Sequence, residues 1–337
     1  MAIETQFELA PKIPHVKLNE NEKLLYVFSR SIHKAIGLST IVSFPKFEPV
    51  LWENDSIASI LLIHGHLSHK NAIYQPMLAD VLSSMGFLVL RFDFRGQGDS
   101  EDNYDPTSGR LLDQDVEDLT TMIGLLGNSQ FIDLVAENLR SRDSPRQLSF
   151  IAMIAHSRGT LAMYEYALSQ LLLQRCTCPC RLLVNCSGRY CANGYYDKIN
   201  RSYPDWVKDA GFKAKSFRHG QMIDQWIPRA EIDRTATAEG ANFAPLKSKA
   251  VHLLYYGDCD TVVPLPEAYH YKHLFGNDAI LSFIRGADHN FYGLEDDPNV
   301  KGLPLRRGKV NYSFELVANI LIFFGVLKDL KGHKKLS

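Results

Sequence analysis

Two hydrophobic periods alternate along most of the chain and predict strands and helices in turn. Continuous apolar runs bounded by turn residues are typical of buried strands, whereas apolar residues three and four positions apart are typical of amphipathic helices. The predicted strands span residues 56–65, 87–96, 148–156, 181–188, 250–258 and 279–289, and the predicted helices span 71–86, 111–127, 160–174, 266–276 and 311–330. Buried strands that alternate with helices favour an α/β fold with a doubly wound, mainly parallel sheet covered by helices on both faces.

The alternation fails in two parts of the chain. Residues 191–249 are polar and aromatic, show no strand pattern, and greatly exceed the roughly 4 to 6 residues of an ordinary connection. We interpret them as a cap inserted into a core formed by residues 1–190 and 250–337. The first 55 residues are less regular, and within them residues 39–55 predict an antiparallel pair at the sheet edge.

The composition narrows the class of protein. The chain has 337 residues, of which 45% are hydrophobic and 22% charged, so it is long enough for one large core and an elaboration. A net charge of -1 gives no argument for binding nucleic acid or an acidic membrane surface. Because the first residues lack a secretory pattern and the apolar run 317–327 is shorter than the roughly 20 residues that cross a bilayer, we expect a cytoplasmic protein without a transmembrane segment.

The six cysteines predict reduced thiols more than a disulfide framework. Residues 176–180 read CTCPC, a spacing that lacks the paired C-x-x-C units and partner histidines of a structural zinc site. We therefore predict no metal site in this segment.

The sequence IAMIAHSRGT at residues 151–160 leads from a predicted strand directly into a predicted helix, with Ser157 at the turn between them. The pattern small-x-Ser-x-Gly in this setting is typical of a sharp turn that exposes a nucleophilic serine. The N-terminus of the following helix would favour the negative charge that develops during acyl transfer. A serine that only caps the helix is the alternative interpretation.

Two more polar turns follow predicted strands. GDCDTVVP at residues 257–264 contains Asp258 and Asp260, and GADHNF at residues 286–291 contains His289. The order serine, acid, histidine, each directly after a strand, is the chain order of hydrolases in which a strand-to-helix turn carries the nucleophile. The position alone does not choose between the two aspartates.

Acyl transfer also needs two donors aimed at the developing oxyanion. Gly65 would let the chain turn sharply after the strand 56–65, so the backbone N–H of His66 is one candidate and that of Arg158 is the other. The side chains of these two residues have no part in this interpretation, and His64 and His69 are interpreted as structural or surface residues.

The segments HGHLSHK, RFDFRGQGDS, AHSRGT, GDCDTVVP and GADHNF resemble, in this order, the landmarks of the α/β-hydrolase superfamily, nearest its feruloyl/cinnamoyl esterase, monoacylglycerol lipase and serine aminopeptidase-like branch. The resemblance covers about residues 57–327 apart from the cap. It implies that Asp260 is the acid and His289 the base, and that the loop 93–100 shapes the floor of the site without taking part in the chemistry. Ala155 departs from the pattern, which usually has a glycine at this position.

Together these assignments predict a serine hydrolase that cleaves a carboxylic ester of moderate size through an acyl-enzyme on Ser157, without a metal or cofactor. A thioesterase, an aminopeptidase or an acyltransferase would use the same residues, and a ligand-binding protein would keep the fold without the reaction. The aromatic residues of the cap predict an apolar pocket above Ser157, with Trp206 and Trp226 as substrate-binding residues. The expected partner is a small ester or acyl compound, and the sequence predicts no oligomeric state.

Overall fold

Nine strands form the central sheet of the computed structural model, which describes residues 5–29, 35–103, 109–139, 147–173, 180–293, 305–306 and 309–333. These strands are β1 (Thr5–Leu9), β2 (Glu22–Ser29), β3 (Gly37–Ser43), β4 (Ile57–Ile63), β5 (Leu88–Phe92), β6 (Leu148–His156), β7 (Leu182–Cys186), β10 (Val251–Gly257) and β11 (Ala279–Ile284). Between β7 and β10 the chain forms β8 (Gly211–Arg218) and β9 (Gln221–Pro228), and near its end it forms the short pair β12 (Leu305–Arg306) and β13 (Lys309–Val310).

The order of the strands across the sheet is β1-β2-β3-β5-β4-β6-β7-β10-β11. Every pair from β5 to β11 in this order is parallel, whereas β1, β2 and β3 form an antiparallel edge that joins β5. The prediction of a mainly parallel sheet is therefore confirmed. The six predicted strands are its six parallel strands. The edge pair predicted within residues 39–55 is wrong in its bounds, since only β3 falls there and its antiparallel partner β2, like β1, precedes the segment.

Helices cover both faces of this sheet. They are α1 (Gln75–Ser84), α2 (Leu112–Gly124), α3 (Ser129–Asn138), α4 (Arg158–Leu172), α7 (Pro266–Phe275) and α8 (Ser313–His333), while α5 (Gly194–Ser202) and α6 (Arg229–Thr235) belong to the polar insertion. Successive residues of a strand point to opposite faces, so Leu61 of β4 packs in the apolar cluster that includes α2, α3, α4 and α7, while Leu62 packs in the cluster that includes α1 and α8. This double burial is the reason that the parallel strands are continuously apolar.

The polar insertion contains a hairpin, which corrects the prediction that residues 191–249 hold no strands. Strands β8 and β9 pair antiparallel, and His219 and Gly220, both with positive φ, form the two-residue turn between them. The insertion has its own small apolar cluster, made of Ile199, Trp206, Phe212, Ala214, Ile227 and Ile232. Residues 240–246 at its end behave differently, because Phe243 and Leu246 are fully buried in the main core against α4.

Three further observations concern predictions made from the sequence. Helix α3 lies in a part of the chain for which we predicted no element, and the side chain of Asn128 caps it by accepting a hydrogen bond from the amide of Phe131 at 2.9 Å. Of the CTCPC segment, residues 176–179 lie outside the described residues, and Cys180 is buried, with its thiol donating to the backbone oxygen of Leu182 at 3.5 Å. None of the described helices is both long and apolar enough to cross a membrane.

Candidate active site

Ser157 lies at the turn between β6 and α4 with φ 52° and ψ −123°, a positive-φ conformation that residues other than glycine rarely adopt. Two glycines allow the neighbouring backbones to approach this turn. A Cβ atom on Gly159 would lie 2.4 Å from the carbonyl oxygen of His64, and one on Gly65 would lie 3.1 Å from the Cβ of Ser157. Ala155, where the resemblance leads one to expect glycine, is fully buried within β6. The strained turn therefore rests on close packing between two strand ends.

The structure brings Ser157, His289 and Asp260 together in one hydrogen-bonded row. The Nε2 atom of His289 lies 2.9 Å from Oγ of Ser157, and its Nδ1 atom lies 2.8 Å from Oδ2 of Asp260. A carboxylate only accepts hydrogen bonds, so the ring donates through Nδ1 and its Nε2 lone pair faces the serine hydroxyl. This is the tautomer that can take a proton from the serine.

Of the two aspartates in the turn after β10, only Asp260 contacts the histidine. Its second oxygen accepts hydrogen bonds from the backbone amides of Val262 and Val263, both at 2.8 Å. Asp258 is exposed and accepts a 2.6 Å hydrogen bond from the amide of Gly286. Asp258 thus stabilises the contact between two loops, whereas Asp260 orients the imidazole.

A second histidine, His156, stabilises the loop that carries His289. His156 is buried and its Nε2–H donates to the backbone oxygen of His289 at 2.9 Å. Burial and, to a smaller extent, the neighbouring His289 lower the pKa of His156 to about 3, so this ring stays neutral. It holds the loop that carries His289, and sequence analysis missed this role because the residue only appeared as part of the serine motif.

The two amides predicted to bind an oxyanion belong to backbone that adjoins Ser157. Arg158 is the first residue of α4, and an amide at this position has no partner within its helix. His66 directly follows Gly65, which packs against the serine. The side chains of His66 and Arg158 take part in a buried ionic cluster that reaches the cap, a feature that the sequence did not predict.

The loop 93–100 is held by a buried ion pair. The Nζ atom of Lys70 lies 2.5 Å from Asp93 and 2.7 Å from Asp99, and the backbone amides of Lys70 and Asp99 also donate to Asp93. A Cβ on Gly98 would collide with the Asp93 carboxylate, which explains the glycine. These contacts agree with a structural role for the loop. His64 is structural as well, since it is buried and accepts a hydrogen bond from the amide of Phe94 at 3.0 Å.

A groove of about 430 Å³ is lined by residues that directly follow Gly65 and His289 in the chain. One wall carries His66 and Asn290, the latter directly following His289, and the opposite wall is the β8–β9 hairpin with Phe217 and Met222. The remaining lining residues are Leu67, Ser68, His69, Ala72, Ile73, Lys215 and Tyr292. The cap contributes apolar side chains to this groove through its hairpin, and the predicted pocket above Ser157 stays a prediction.

The two tryptophans occupy other places. Trp206 is buried in the cluster of the cap, where its Nε1–H donates to Asn200 at 2.7 Å and its ring stacks on Tyr196. Trp226 is 40% exposed and lies against Gly211 at the open end of the hairpin. Neither is among the described residues that line this groove. The structure thus assigns Trp206 to packing within the cap, where burial of a large ring contributes most.

Comparisons with known proteins identify a family model and relatives to which the sequence of this chain is similar. The family model described as "Serine aminopeptidase, S33" matches residues 54–187. The uncharacterized Saccharomyces cerevisiae protein YDL057W is 38% identical over 329 residues, which cover 95% of this chain and 97% of that protein. A stretch of 54 residues is 41% identical to the Mus musculus lysophosphatidylserine lipase ABHD12, covering 15% of this chain and 14% of the lipase.

Solved structures show the same fold at low identity. Est1E from Butyrivibrio proteoclasticus with bound ferulic acid has a TM-score of 0.51 and 16% identity, covering 76% of this chain and 88% of its own. Mouse alpha/beta hydrolase domain-containing protein 10 has a TM-score of 0.53 and 13% identity, covering 89% and 98% respectively. The monoacylglycerol lipase of Paleococcus ferrophilus has a TM-score of 0.50 and 14% identity, covering 86% and 97%.

Proposed function

We propose that this chain, which belongs to the α/β-hydrolase superfamily, is a serine hydrolase that cleaves a carboxylic ester of moderate size through an acyl-enzyme on Ser157. The observation that carries the proposal is the row formed by Ser157, His289 and Asp260, with heavy-atom distances of 2.9 and 2.8 Å. Both distances are within the range over which a general base can take a proton.

In the first half of the reaction, Nε2 of His289 accepts the hydroxyl proton of Ser157 as the oxygen attacks the ester carbonyl carbon. The carbonyl oxygen becomes an oxyanion, which the backbone amides of His66 and Arg158 bind. The protonated imidazole then gives its proton to the leaving alcohol, and the acyl-enzyme remains. Asp260 holds Nδ1–H throughout and stabilises the imidazolium.

In the second half, a water molecule takes the place of the alcohol. His289 accepts a proton from this water as it attacks the acyl carbon, and the same two amides bind the new oxyanion. Collapse of this intermediate releases the acid and returns the proton to Ser157. Each proton taken by the imidazole is given up within the same half-reaction, so the enzyme ends in its starting state.

The groove supports an ester with an apolar group of moderate size. Its volume of about 430 Å³ lies within the range of roughly 300 to 1,000 Å³ that is usual for small-molecule sites. Phe217, Met222 and Ile73 supply apolar surface, while Asn290 supplies a polar group near His289. In the proposal, an acyl chain or an aromatic acid occupies this groove while its carbonyl carbon lies at Ser157.

An aminopeptidase is a second candidate because the matched family model carries that description. A thioesterase or an acyltransferase would use the same three residues and differ in the leaving group or in the acceptor of the acyl group. Rates with alkyl esters of graded chain length, aryl esters, thioesters and aminoacyl anilides separate these activities. The proposal predicts that the esters are the best substrates, and faster turnover of the anilides would replace it with the aminopeptidase.

A fluorophosphonate probe tests the nucleophile itself. We expect stoichiometric labelling of the wild-type chain, and no labelling of Ser157→Ala. Ser187→Ala is a matched control, since Ser187 also follows a parallel strand with positive φ but is fully buried. It should label like the wild type. An unlabelled wild-type chain would point to a binding protein that keeps the fold.

A further inference from the structure

Glu231 extends from the cap into the core beside the candidate active site. It belongs to helix α6, yet only 2% of its surface is exposed. Its Oε1 atom accepts a hydrogen bond from Nη1 of Arg158 at 2.5 Å, and its Oε2 atom accepts one from the backbone amide of Arg110 at 2.8 Å. One carboxylate therefore joins the cap to the helix that begins at the nucleophile.

The same carboxylate also lies near His66. The Nδ1 atom of His66 is 3.6 Å from Oε1 of Glu231 and 3.3 Å from Nη1 of Arg158. Burial, and next the charge of Arg158, hold the pKa of His66 well below its usual range, so this ring is neutral and its Nδ1 accepts from the guanidinium. The side chains of His66 and Arg158, whose amides are the two proposed oxyanion donors, thus meet at a single residue of the cap.

Arg110 and Asp115 extend the contact between Glu231 and Arg158 into a buried ionic cluster. Nη2 of Arg158 donates to the backbone oxygen of Arg110 at 2.6 Å and lies 3.2 Å from Asp115. Nε of Arg110 lies 2.8 Å from the other oxygen of Asp115. Two guanidinium groups and two carboxylates are therefore buried together. Buried charges of this kind must be matched, so a shift of one member disturbs the others.

The backbone beneath the cap is fitted closely to this residue. Gly109 has φ +66°, and a Cβ there would lie 2.7 Å from Oε2 of Glu231 and 2.5 Å from Cγ of Pro228. The start of α6 therefore rests directly on residues 109 and 110. Glu231 is carried by the cap, and its carboxylate contacts the side chain of Arg158 and lies 3.6 Å from that of His66.

From these contacts we propose that Glu231 is a positioning residue that fixes the spacing of the two oxyanion amides, so that ester cleavage depends on a correctly seated cap. The proposal rests on the proposed function. Oxyanion donors act over 2.7 to 3.1 Å, and a misplacement of about 1 Å can cost about a hundredfold in rate. Because the amides bind charge that exists only in the transition state, the effect belongs in kcat and not in KM.

The test uses the full chain with Glu231→Gln, which keeps the shape and removes the charge, and Glu231→Asp, which keeps the charge and shortens the reach. Asp233→Asn is the matched control, because Asp233 is on the same helix but is part-exposed and bonds to Arg229 and Tyr196 within the cap. Active sites are counted by complete fluorophosphonate labelling, and kcat is expressed per labelled site.

We expect both Glu231 variants to lose about 10- to 100-fold in kcat per labelled site with KM changed less than threefold. They should also bind an alkyl trifluoromethyl ketone, whose serine adduct carries an oxyanion, correspondingly more weakly. The control should behave like the wild type. Unchanged kcat per labelled site, with only fewer labelled sites or a lower melting temperature, would reduce Glu231 to a structural residue. A wild-type chain that does not label would instead refute the proposed function before the variants are compared.

Discussion

At the scale of single residues, two histidines with nearly touching rings have different environments. The ring centroids of His156 and His289 are 5.1 Å apart. The Nε2–H group of His156 is committed to a backbone oxygen, and burial keeps that ring neutral. His289 instead has one nitrogen on Asp260 and the other on Ser157. Hydrogen-bond partners, more than distance to the serine, therefore separate a supporting histidine from a candidate base.

The pairing of Ser157 and His289 predicts a non-additive double mutant. Ser157→Ala and His289→Ala should each lower kcat on an aryl ester by about four to six orders of magnitude, because either change removes the same proton transfer. The double variant should lose little more than either single one. Losses that multiply would contradict a shared step, and thermal melting of each variant controls for folding.

The two aspartates of the β10 turn predict different costs. Asp260→Asn should lower kcat about 10⁴-fold with little change in KM, since an amide in this place favours the wrong imidazole tautomer. Asp258→Asn should cost less than tenfold, because its recorded contact is a loop amide. The comparison is made with the same ester at saturating concentration. A larger loss for Asp258→Asn would mean that His289 uses the other acid in solution.

At the scale of elements, the sequence predicted the parallel strands well and the cap poorly. The six parallel strands of the sheet are mostly apolar along their whole length. Their hydrophobic pattern can therefore be recognised without knowing which elements pack against them. Strand β9 is mostly exposed, and the buried positions of β8 include the polar residues Ser216 and Arg218, so a hairpin supported by one small cluster left little hydrophobic signal. In the sequence, the feature that indicates this hairpin is the His219-Gly220 pair, which lies between the two segments that form β8 and β9.

The residues of the candidate site also differ in whether the sequence predicted them. Ser157, His289 and the turn with Asp258 and Asp260 follow strands of one sheet, so their chain order predicted that they meet, and the family resemblance selected Asp260. Glu231 contacts residues from three separate segments of the core, and nothing in its local sequence distinguishes it from an exposed helical glutamate. Burial of its charge is a consequence of how α6 seats on the core, which only the structure contains.

The hairpin predicts which part of the cap selects the substrate. Phe217 and Met222 are paired across β8 and β9 and both line the groove. Phe217→Ala and Met222→Ala should change the kcat/KM ratio of long to short acyl esters by about 1 to 3 kcal/mol per lost contact, with acetyl esters nearly unaffected. Ile223→Ala is the control, because Ile223 follows Met222 and is outside the described groove lining. Trp206→Ala should instead lower the melting temperature with equal losses on all esters.

At the scale of the whole molecule, three buried histidines and the half-buried His66 make stability depend on pH. Burial is the main cause that lowers the pKa of His156 to about 3 and of His252 to about 4, and it holds those of His64 and His66 well below their usual range. Between pH 6.5 and 4 the unfolded chain binds protons that the folded chain does not, so the free energy of unfolding falls as pH falls. Asp115, whose pKa burial raises to about 6, acts in the opposite direction, as do Asp118 and Glu165, whose pKa burial also raises.

His252 allows this effect to be measured away from the active site. It is fully buried and stacks on Phe275 at 3.5 Å between ring centroids. With a pKa of about 4 in the folded chain, it should contribute about 1.4 kcal/mol per pH unit to the slope of unfolding free energy between pH 6.5 and 4. His252→Gln should therefore flatten the urea-unfolding free energy plotted against pH over this window, whatever it costs at pH 7.5. His273→Gln, an exposed change on the neighbouring helix α7, is the control and should leave the slope as in the wild type. Equal slopes for the His252 variant and the wild type would show that this ring takes up a proton in the folded chain, and that acid instability arises from other groups.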